Sequence, residues 1–181
     1  IATSLRAGLD RPAGAAPEDL REGLDVIEGR ARSLGRFMNA YARLARLPRP
    51  TLAPIDLPGI VRRTAALETR VRVVVIEGPP VALEADSDQL EQLLVNLVRN
   101  AADAALETGG GVVVGWSVER GCVELHVEDE GPGLADTANL FVPFFTTKPT
   151  GSGVGLVVSR QIAEAHGGQL ALDNRPGARG A

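Results

Sequence analysis

Cysteine and aromatic residues are scarce in this 181-residue chain, and clustered positive charge is missing. The single Cys122 excludes an internal disulfide and any cysteine-cluster metal site, and it fits a reducing compartment. Aromatics make up 3% of the residues, so aliphatic and alanine side chains must fill the core. The formal charge is −4 with no basic block, which argues against a nucleic-acid surface. No apolar run approaches the roughly 20 residues needed to span a bilayer. The N-terminus lacks the basic start and apolar stretch of a signal peptide. The chain is therefore expected to be soluble and cytoplasmic. What is present is a 44% hydrophobic content, enough for a real core. The length suits one ordinary domain plus an appendage.

Residues 1–9 (IATSLRAGL) read as the last turns of a helix whose start was cut, and 10–17 as a loop. A long helix is expected over 18–47. Its apolar residues Leu20, Leu24, Ile27, Ala31, Leu34, Met38, Tyr41 and Ala45 alternate spacings of four and three, a heptad seam. Gly23, Gly29 and Gly35 weaken that helix by about 1 kcal/mol each, so it should depend on a packed partner. Residues 1–50 thus predict a partial helical hairpin. One hairpin cannot cover its own seam, and two would make a four-helix bundle. The alternative is a seam packed on the chain's own globular domain.

Pro48, Pro50 and Pro54 mark a linker. The remainder, 51–181, predicts an α+β fold. Asp56 can cap a short helix over 58–68. Strands are expected at 71–76, 81–84, 112–118, 122–128 and 169–173, and helices at 87–106 and 153–166. Helices and antiparallel strands mix without βαβ regularity. This predicts a two-layer sandwich, a mixed sheet with helices on one face, preceded by the helical hairpin.

Four stretches carry chemistry. In the helix from Ser87, Leu90, Leu93, Leu94, Leu97, Val98, Ala101 and Ala105 form an apolar arc. Asn96 and Asn100 are one turn apart on another face, with Gln92 and Asp103 on the same side. Asn is a poor helix former because its amide competes for backbone bonds. A carboxamide oxygen is a hard neutral ligand that suits Mg²⁺. The bland alternative is a solvated polar face. Next, Val123, Leu125 and Val127 alternate with Glu124, His126 and Glu128, and Asp129 continues the apolar side. A carboxylate there needs a partner. Gly131 and Gly133 let a ligand approach the backbone. An acid accepting from an exocyclic amine beside such glycines makes a sound adenine site; the alternative is a β-turn capped by Asp. Third, Gly151, Gly153 and Gly155 alternate where a helix begins, a place that attracts phosphate. The run lacks both the Rossmann context and the G-K-[ST] ending of a P-loop. Between the glycine motifs, 134–150 holds Phe141, Phe144 and Phe145. It reads either as a small satellite core or as a nucleotide lid anchored by phenylalanine, with Lys148 reaching phosphate.

In this order the four stretches resemble the sensor histidine kinases of the ATP-binding superfamily shared with type II topoisomerases, a heat-shock chaperone and a mismatch-repair ATPase. Asp86 to Ala101 resembles the family's N box, Asp129 to Gly133 its first glycine box, Phe141 to Lys148 its F box and Gly151 to Gly155 its second glycine box. Ile162 to Gly168 (IAEAHGG) is similar to the family's following helix end. The resemblance covers nearly all of 52–181 and, more loosely, 1–47. It implies ATP and Mg²⁺ as cofactors, catalytic roles for Asn96 and Lys148, and Asn100 as the metal ligand. It implies nucleotide contacts from Asn96, Asn100, Asp103, Asp129, Gly131, Gly133 and Leu134. Further contacts would come from Phe145, Thr147 and Lys148 of the F box, and from Gly151, Ser152, Gly153, Val154, Gly155 and Leu156. It also implies phosphoryl transfer to a histidine, a homodimer through the hairpin, a response-regulator receiver domain as partner, and a parent protein that can be anchored in the inner membrane.

Two departures stand out. The acceptor histidine with its following acid is absent. The only histidines, His126 and His166, read as structural, the second suiting a helix C-terminus as a cation before Gly167. The acceptor is expected upstream of Ile1. Asp103 stands where many relatives carry a basic residue on the phosphates, so neutralisation should lean on Mg²⁺ and Lys148. Rival readings are a nucleotide-switch ATPase and a non-catalytic dimeric scaffold. The first would need a glutamate base where Asn96 stands.

Overall fold

The computed structural model describes residues 17–45, 47–134, 139–146, 148, 151–175 and 179–181. The expected helix over 1–9 and its loop lie outside them. The chain divides into two units, 1–45 and 46–181.

The first unit is described as one helix, α1 (Pro17–Ala45), two residues short of the expected end. Pro17 opens it, where a missing N–H costs nothing. Leu24, Ile27, Leu34 and Met38 of the seam are all exposed. A Cβ at Gly29 or Gly35 would meet nothing within 4 Å.

The second unit runs β1 (Ala53–Ile55), α2 (Leu57–Leu67), β2 (Val73–Ile76), β3 (Leu83–Ala85), α3 (Ser87–Thr108), β4 (Val112–Glu119), β5 (Cys122–Asp129) and α4 (Gly155–Ala165). Its strands form two sheets. β2 pairs parallel with β4, and β4 antiparallel with β5, so the larger sheet is mixed as expected. β1 and β3 form a separate antiparallel pair.

The helices start where acids cap them. Asp56 Oδ1 accepts from the Gly59 N–H at 3.1 Å, as foreseen. Asp86 Oδ1 accepts from the Gln89 N–H at 3.1 Å, and its Oδ2 from the Thr51 N–H at 2.9 Å. These backbone donors, Thr51 first and then Gln89, hold the Asp86 carboxyl below the usual range. One carboxylate thus caps α3 and ties the linker to it. At the other end Gly109 takes φ 71° and closes α3.

The core lies between the helices and the inner face of the mixed sheet. Leu57, Ile60 and Val61 of α2, Leu94 and Val98 of α3, and Val158 and Ile162 of α4 are almost wholly buried. α2 and α3 pack on β4, whose alternate residues Val112, Val114 and Trp116 are also buried, and α4 packs on α3. Trp116 donates its indole N–H to the Pro79 carbonyl at 3.0 Å, so the chain's single tryptophan is satisfied. Arg120 (φ 51°) and Gly121 (φ 81°) make the left-handed turn joining β4 to β5.

Several boundaries differ from the sequence reading. β1 was not foreseen: it is three residues long, contains Pro54, and exists because β3 pairs with it. The expected strand at 169–173 does not form. That stretch is described without a ladder, and nearby backbone bonds are isolated ones, Arg175 N–H to the Gly180 carbonyl and Asp129 N–H to the Ala181 carbonyl. The last helix begins at Gly155 rather than 153, because Gly153 sits at φ 66°, outside helical space.

Candidate nucleotide site

The site is built along α3. Residues four and three apart put Asn96, Asn100 and Asp103 on one face, half-buried, opposite the core arc. Different parts of the chain meet that face at successive turns.

Asn96 meets the start of α4. A Cβ at Gly155 would stand 3.9 Å from Asn96 Oδ1, and Asn96 Nδ2 lies 3.5 Å from the Ser159 hydroxyl, at the long limit for a hydrogen bond. The first asparagine and the second glycine motif are therefore neighbours.

Asn100 and Asp103 meet Lys148. The ammonium is 2.7 Å from Asp103 Oδ2 and 3.5 Å from Asn100 Oδ1. Asp103 Oδ1 accepts from Arg70 Nη1 at 2.7 Å, and Arg70 is itself forked onto Glu68. The sequence reading missed Arg70 and Glu68. A charged pair in the loop between α2 and β2 carries no motif, and only the fold brings it to α3. Burial pushes the Asp103 carboxyl up; the Lys148 and Arg70 hydrogen bonds outweigh that and hold it below the ordinary range. The Arg70 hydrogen bonds likewise hold Glu68 below its usual range. Arg70, bonded to Glu68 and then Asp103, is raised. Asp103 is thus paired with cations from two other parts of the chain, Arg70 and Lys148.

Asp129 meets α3 from the sheet side. It is in register opposite Val112, on the inner face of β5, and buried as expected. Its Oδ1 accepts from the Gly131 N–H at 2.7 Å. Its Oδ2 makes no hydrogen bond among the described residues. Gly131 lies against α3: a Cβ there would stand 2.7 Å from the Ala104 Cβ. Gly133 has φ 82°, and Leu134 exchanges two hydrogen bonds with the Asn174 side chain.

The F-box segment is held at its root. Phe144 N–H donates to the Gly153 carbonyl at 2.8 Å, and a Cβ at Gly153 would come within 2.5 Å of the Phe144 carbonyl carbon. Phe141 packs under the Arg160 guanidinium, 4.8 Å from its ring centre. Phe141 and Phe144 are half-buried and Phe145 is exposed. Gly151 N–H reaches the Lys148 carbonyl at 3.1 Å. Val154 is buried, Leu156 half-buried, and Gly151 and Ser152 are exposed. Thr147 lies outside the described residues.

Both histidines have structural partners. His126 lies over Gly115, where a Cβ would collide with its Nε2. His166 Nε2 accepts from the Asp86 N–H at 3.0 Å, which assigns the ring proton to Nδ1, 2.8 Å from the Ile162 carbonyl. The expected helix-end cation is therefore a neutral ring that stitches the end of α4 to the cap of α3. Gly167 at φ 75° closes α4 as foreseen.

A helix bearing two asparagines, a buried aspartate with paired glycines and a glycine-opened helix define one nucleotide-binding class. The chain belongs to the histidine kinase-, DNA gyrase B-, and HSP90-like ATPase family, which matches residues 85–181. Relatives it matches include proteins named as sensor histidine kinases, such as ZraS of Escherichia coli, 30% identical over 92% of this chain and 37% of ZraS. It is 34% identical over 170 residues to the C4-dicarboxylate transport sensor protein DctS of Rhodobacter capsulatus, a match covering 87% of this chain and 26% of DctS. Among solved structures it resembles full-length ShkA in complex with AMPPNP (TM-score 0.63, 27% identity, 90% of this chain and 38% of that one). It also resembles the mycobacterial sensor histidine kinase MprB (TM-score 0.62, 29% identity, 71% of this chain and 89% of that one). The chain spans about a third or less of the length of curated relatives such as DctS and the ChvG sensor proteins.

Proposed function

We propose that this chain is the catalytic core of a protein-histidine kinase, binding ATP with Mg²⁺ along α3 and donating the γ-phosphoryl group to a histidine of the dimerisation hairpin. The observation that carries this reading is the convergence on one helix face of Asn96, Asn100, Lys148 and the Asp129 loop. In the transfer, the bond from the γ-phosphorus to the bridging oxygen breaks and a bond to an imidazole nitrogen forms. ADP leaves with that oxygen. The phosphoryl group then passes to an aspartate of a response-regulator receiver domain.

Asp129 is suited to the adenine amino group: its Oδ1 is held by Gly131, and its Oδ2 makes no hydrogen bond among the described residues. Asn100 offers a neutral hard oxygen facing a cation, the Lys148 ammonium. Among the described residues no three His, Cys, Asp or Glu side chains gather to hold a metal. Asn100 would hold the metal through its side-chain oxygen, a hard neutral donor of the kind Mg²⁺ takes beside phosphate and water. Bound there, Mg²⁺ would supply positive charge to offset the charge that develops on the phosphates. Asn96 fixes the start of α4, whose backbone N–H groups and dipole favour phosphate. Lys148 serves the transferring phosphate once it leaves Asp103. Asn96 cannot act as a general base, which disfavours an ATPase that activates water at that position.

The exposed seam of α1 suits a homodimer. No helix among the described residues is long and apolar enough to cross a membrane. We place this part of the protein in the cytoplasm, with any membrane anchor in other parts of the parent.

Titration calorimetry with ADP tests the reading. Asp129→Ala should weaken adenine binding, and Asn100→Ala should remove the Mg²⁺-dependent part of the affinity. Equal ADP affinity in wild type and Asp129→Ala would refute the role of Asp129.

A further inference from the structure

We propose that Asn174 and Arg175, beyond α4 and outside every recognised motif, are positioning residues for the adenine side of the site. The proposal rests on the reading of Asp129 as the adenine acceptor. The difficulty they address is one of order. Gly131 and Gly133 let the loop after β5 take its shape, but glycine also gives a loop the most freedom to lose. An acceptor carried on such a loop recognises adenine well only if something else holds the loop before the ligand arrives.

Asn174 does so as a side chain imitating a strand. Its Oδ1 accepts from the Leu134 N–H at 2.6 Å and its Nδ2 donates to the Leu134 carbonyl at 3.0 Å. Both backbone groups of Leu134 are thus paired to one rigid carboxamide. Among side chains of that length only asparagine offers an acceptor and a donor on one plane. The second glycine fits this arrangement. Gly133 sits at φ 82°, and a Cβ there would stand 2.8 Å from Asn174 Oδ1. Gly133 therefore makes room for Asn174 as well as for any ligand.

Arg175 holds the other end of the loop. Its Nη1 donates to the Asp129 carbonyl at 3.2 Å, while its Nε lies 3.4 Å from Glu128 Oε2. Consecutive residues thus grip the two ends of the segment 129–134, and between them Asp129 Oδ1 is held by Gly131. The hydrogen bonds that both side chains make to the loop go to backbone groups, so their action is on backbone position.

The test compares ADP with IDP, whose base lacks the 6-amino donor, by calorimetry on the 181-residue chain. Wild type should prefer ADP, and Asp129→Asn should abolish the preference. Asn174→Ala should weaken ADP about fivefold, which is about 1 kcal/mol, and IDP much less, so that the preference shrinks. Asn174→Asp keeps size and acceptor but not the donor, and should lose at least as much. Arg175→Gln should act in the same direction, and reads the proposal independently if the Asn174 variants fold poorly. Equal losses for ADP and IDP with a lowered melting temperature would make both residues merely structural and overturn the proposal. So would wild-type ADP affinity in Asn174→Asp. An ADP preference untouched by Asp129→Asn would instead overturn the adenine reading, and this proposal with it.

Discussion

Replacing Asp103 by Asn should tighten nucleotide binding while loosening the fold. The carboxylate holds two cations, Lys148 Nζ and Arg70 Nη1, each at 2.7 Å. The side chains are 26% exposed for Asp103, 38% for Lys148 and 43% for Arg70, so both pairs are well wetted. Pairs of this kind are worth about 0.2–1 kcal/mol each, and losing both should cost about 1 kcal/mol of stability. The effect on binding has the opposite sign. The ammonium no longer has to leave a carboxylate to meet phosphate, and one negative charge is removed beside Asn100. Recovering one pair of about 1 kcal/mol corresponds to about fivefold tighter ADP or ATP binding. The gain should shrink with salt, since the Debye length falls to about 8 Å at 0.15 M. Calorimetry at low and moderate ionic strength, beside thermal melting, reads both effects. If Asp103 itself contacts the nucleotide or its metal, Asp103→Asn must weaken binding. A weakened or unchanged affinity would therefore refute the view that Asp103 competes with phosphate for Lys148.

His166→Ala removes two hydrogen bonds, to the Asp86 N–H and the Ile162 carbonyl, and should lower the unfolding free energy by about 1–3 kcal/mol in urea titrations. Gly153→Ala meets both φ 66° and the nearby Phe144 backbone; it should cost about 1–2 kcal/mol and raise protease cleavage within 144–153. Asp86 and Asp103 are held below their ordinary value of 3.8, and Glu68 below 4.5. A lowered folded-state pKa means stability that is present above the ordinary value and lost as pH falls through the folded one. Unfolding free energy should therefore drop below about pH 4.5, and Asp86→Asn should flatten the drop. Leu24→Asp with Leu34→Asp should convert any dimer to monomer in sedimentation; a wild type that is monomeric at high micromolar concentration would refute the seam as a dimer surface.

The parts of this molecule that the sequence disclosed are those governed by local rules. The cap at Asp56, the apolar arc of α3 and the alternation that carries Asp129 onto the inner face all follow from spacing of three, four or two residues. What it hid depends on partners far along the chain. β1 is a strand only because β3 lies beside it, and the alternating apolar residues at 169–173 meet no ladder. Arg70 and Asn174 belong to the same class: each is an ordinary polar residue in a loop until the fold delivers it to Asp103 or Leu134. The charge at Asp103 was legible as an oddity, but its compensation from 33 residues away was not. His166 was placed correctly at a helix end, yet its ring state followed only from the Asp86 N–H opposite it.

The parallel pairing of β2 with β4 has a consequence for how the protein folds. Val73 aligns with Val112, and everything between them, including β3 and all of α3, is the crossover that this pairing closes. Pairings of such long separation form slowly, because loop-closure entropy is spent before the contacts return it. The β4–β5 hairpin, with its tight turn at Arg120 and Gly121, is local and can form within about 1–10 μs. The helix that carries Asn96 and Asn100 is thus fixed in the slow step, not added to a finished sheet. A folding intermediate holding only the hairpin would carry Asp129 but have no ordered face for phosphate. Substitutions at the β2–β4 seam should slow the appearance of nucleotide binding during refolding more than they alter the affinity of the folded chain.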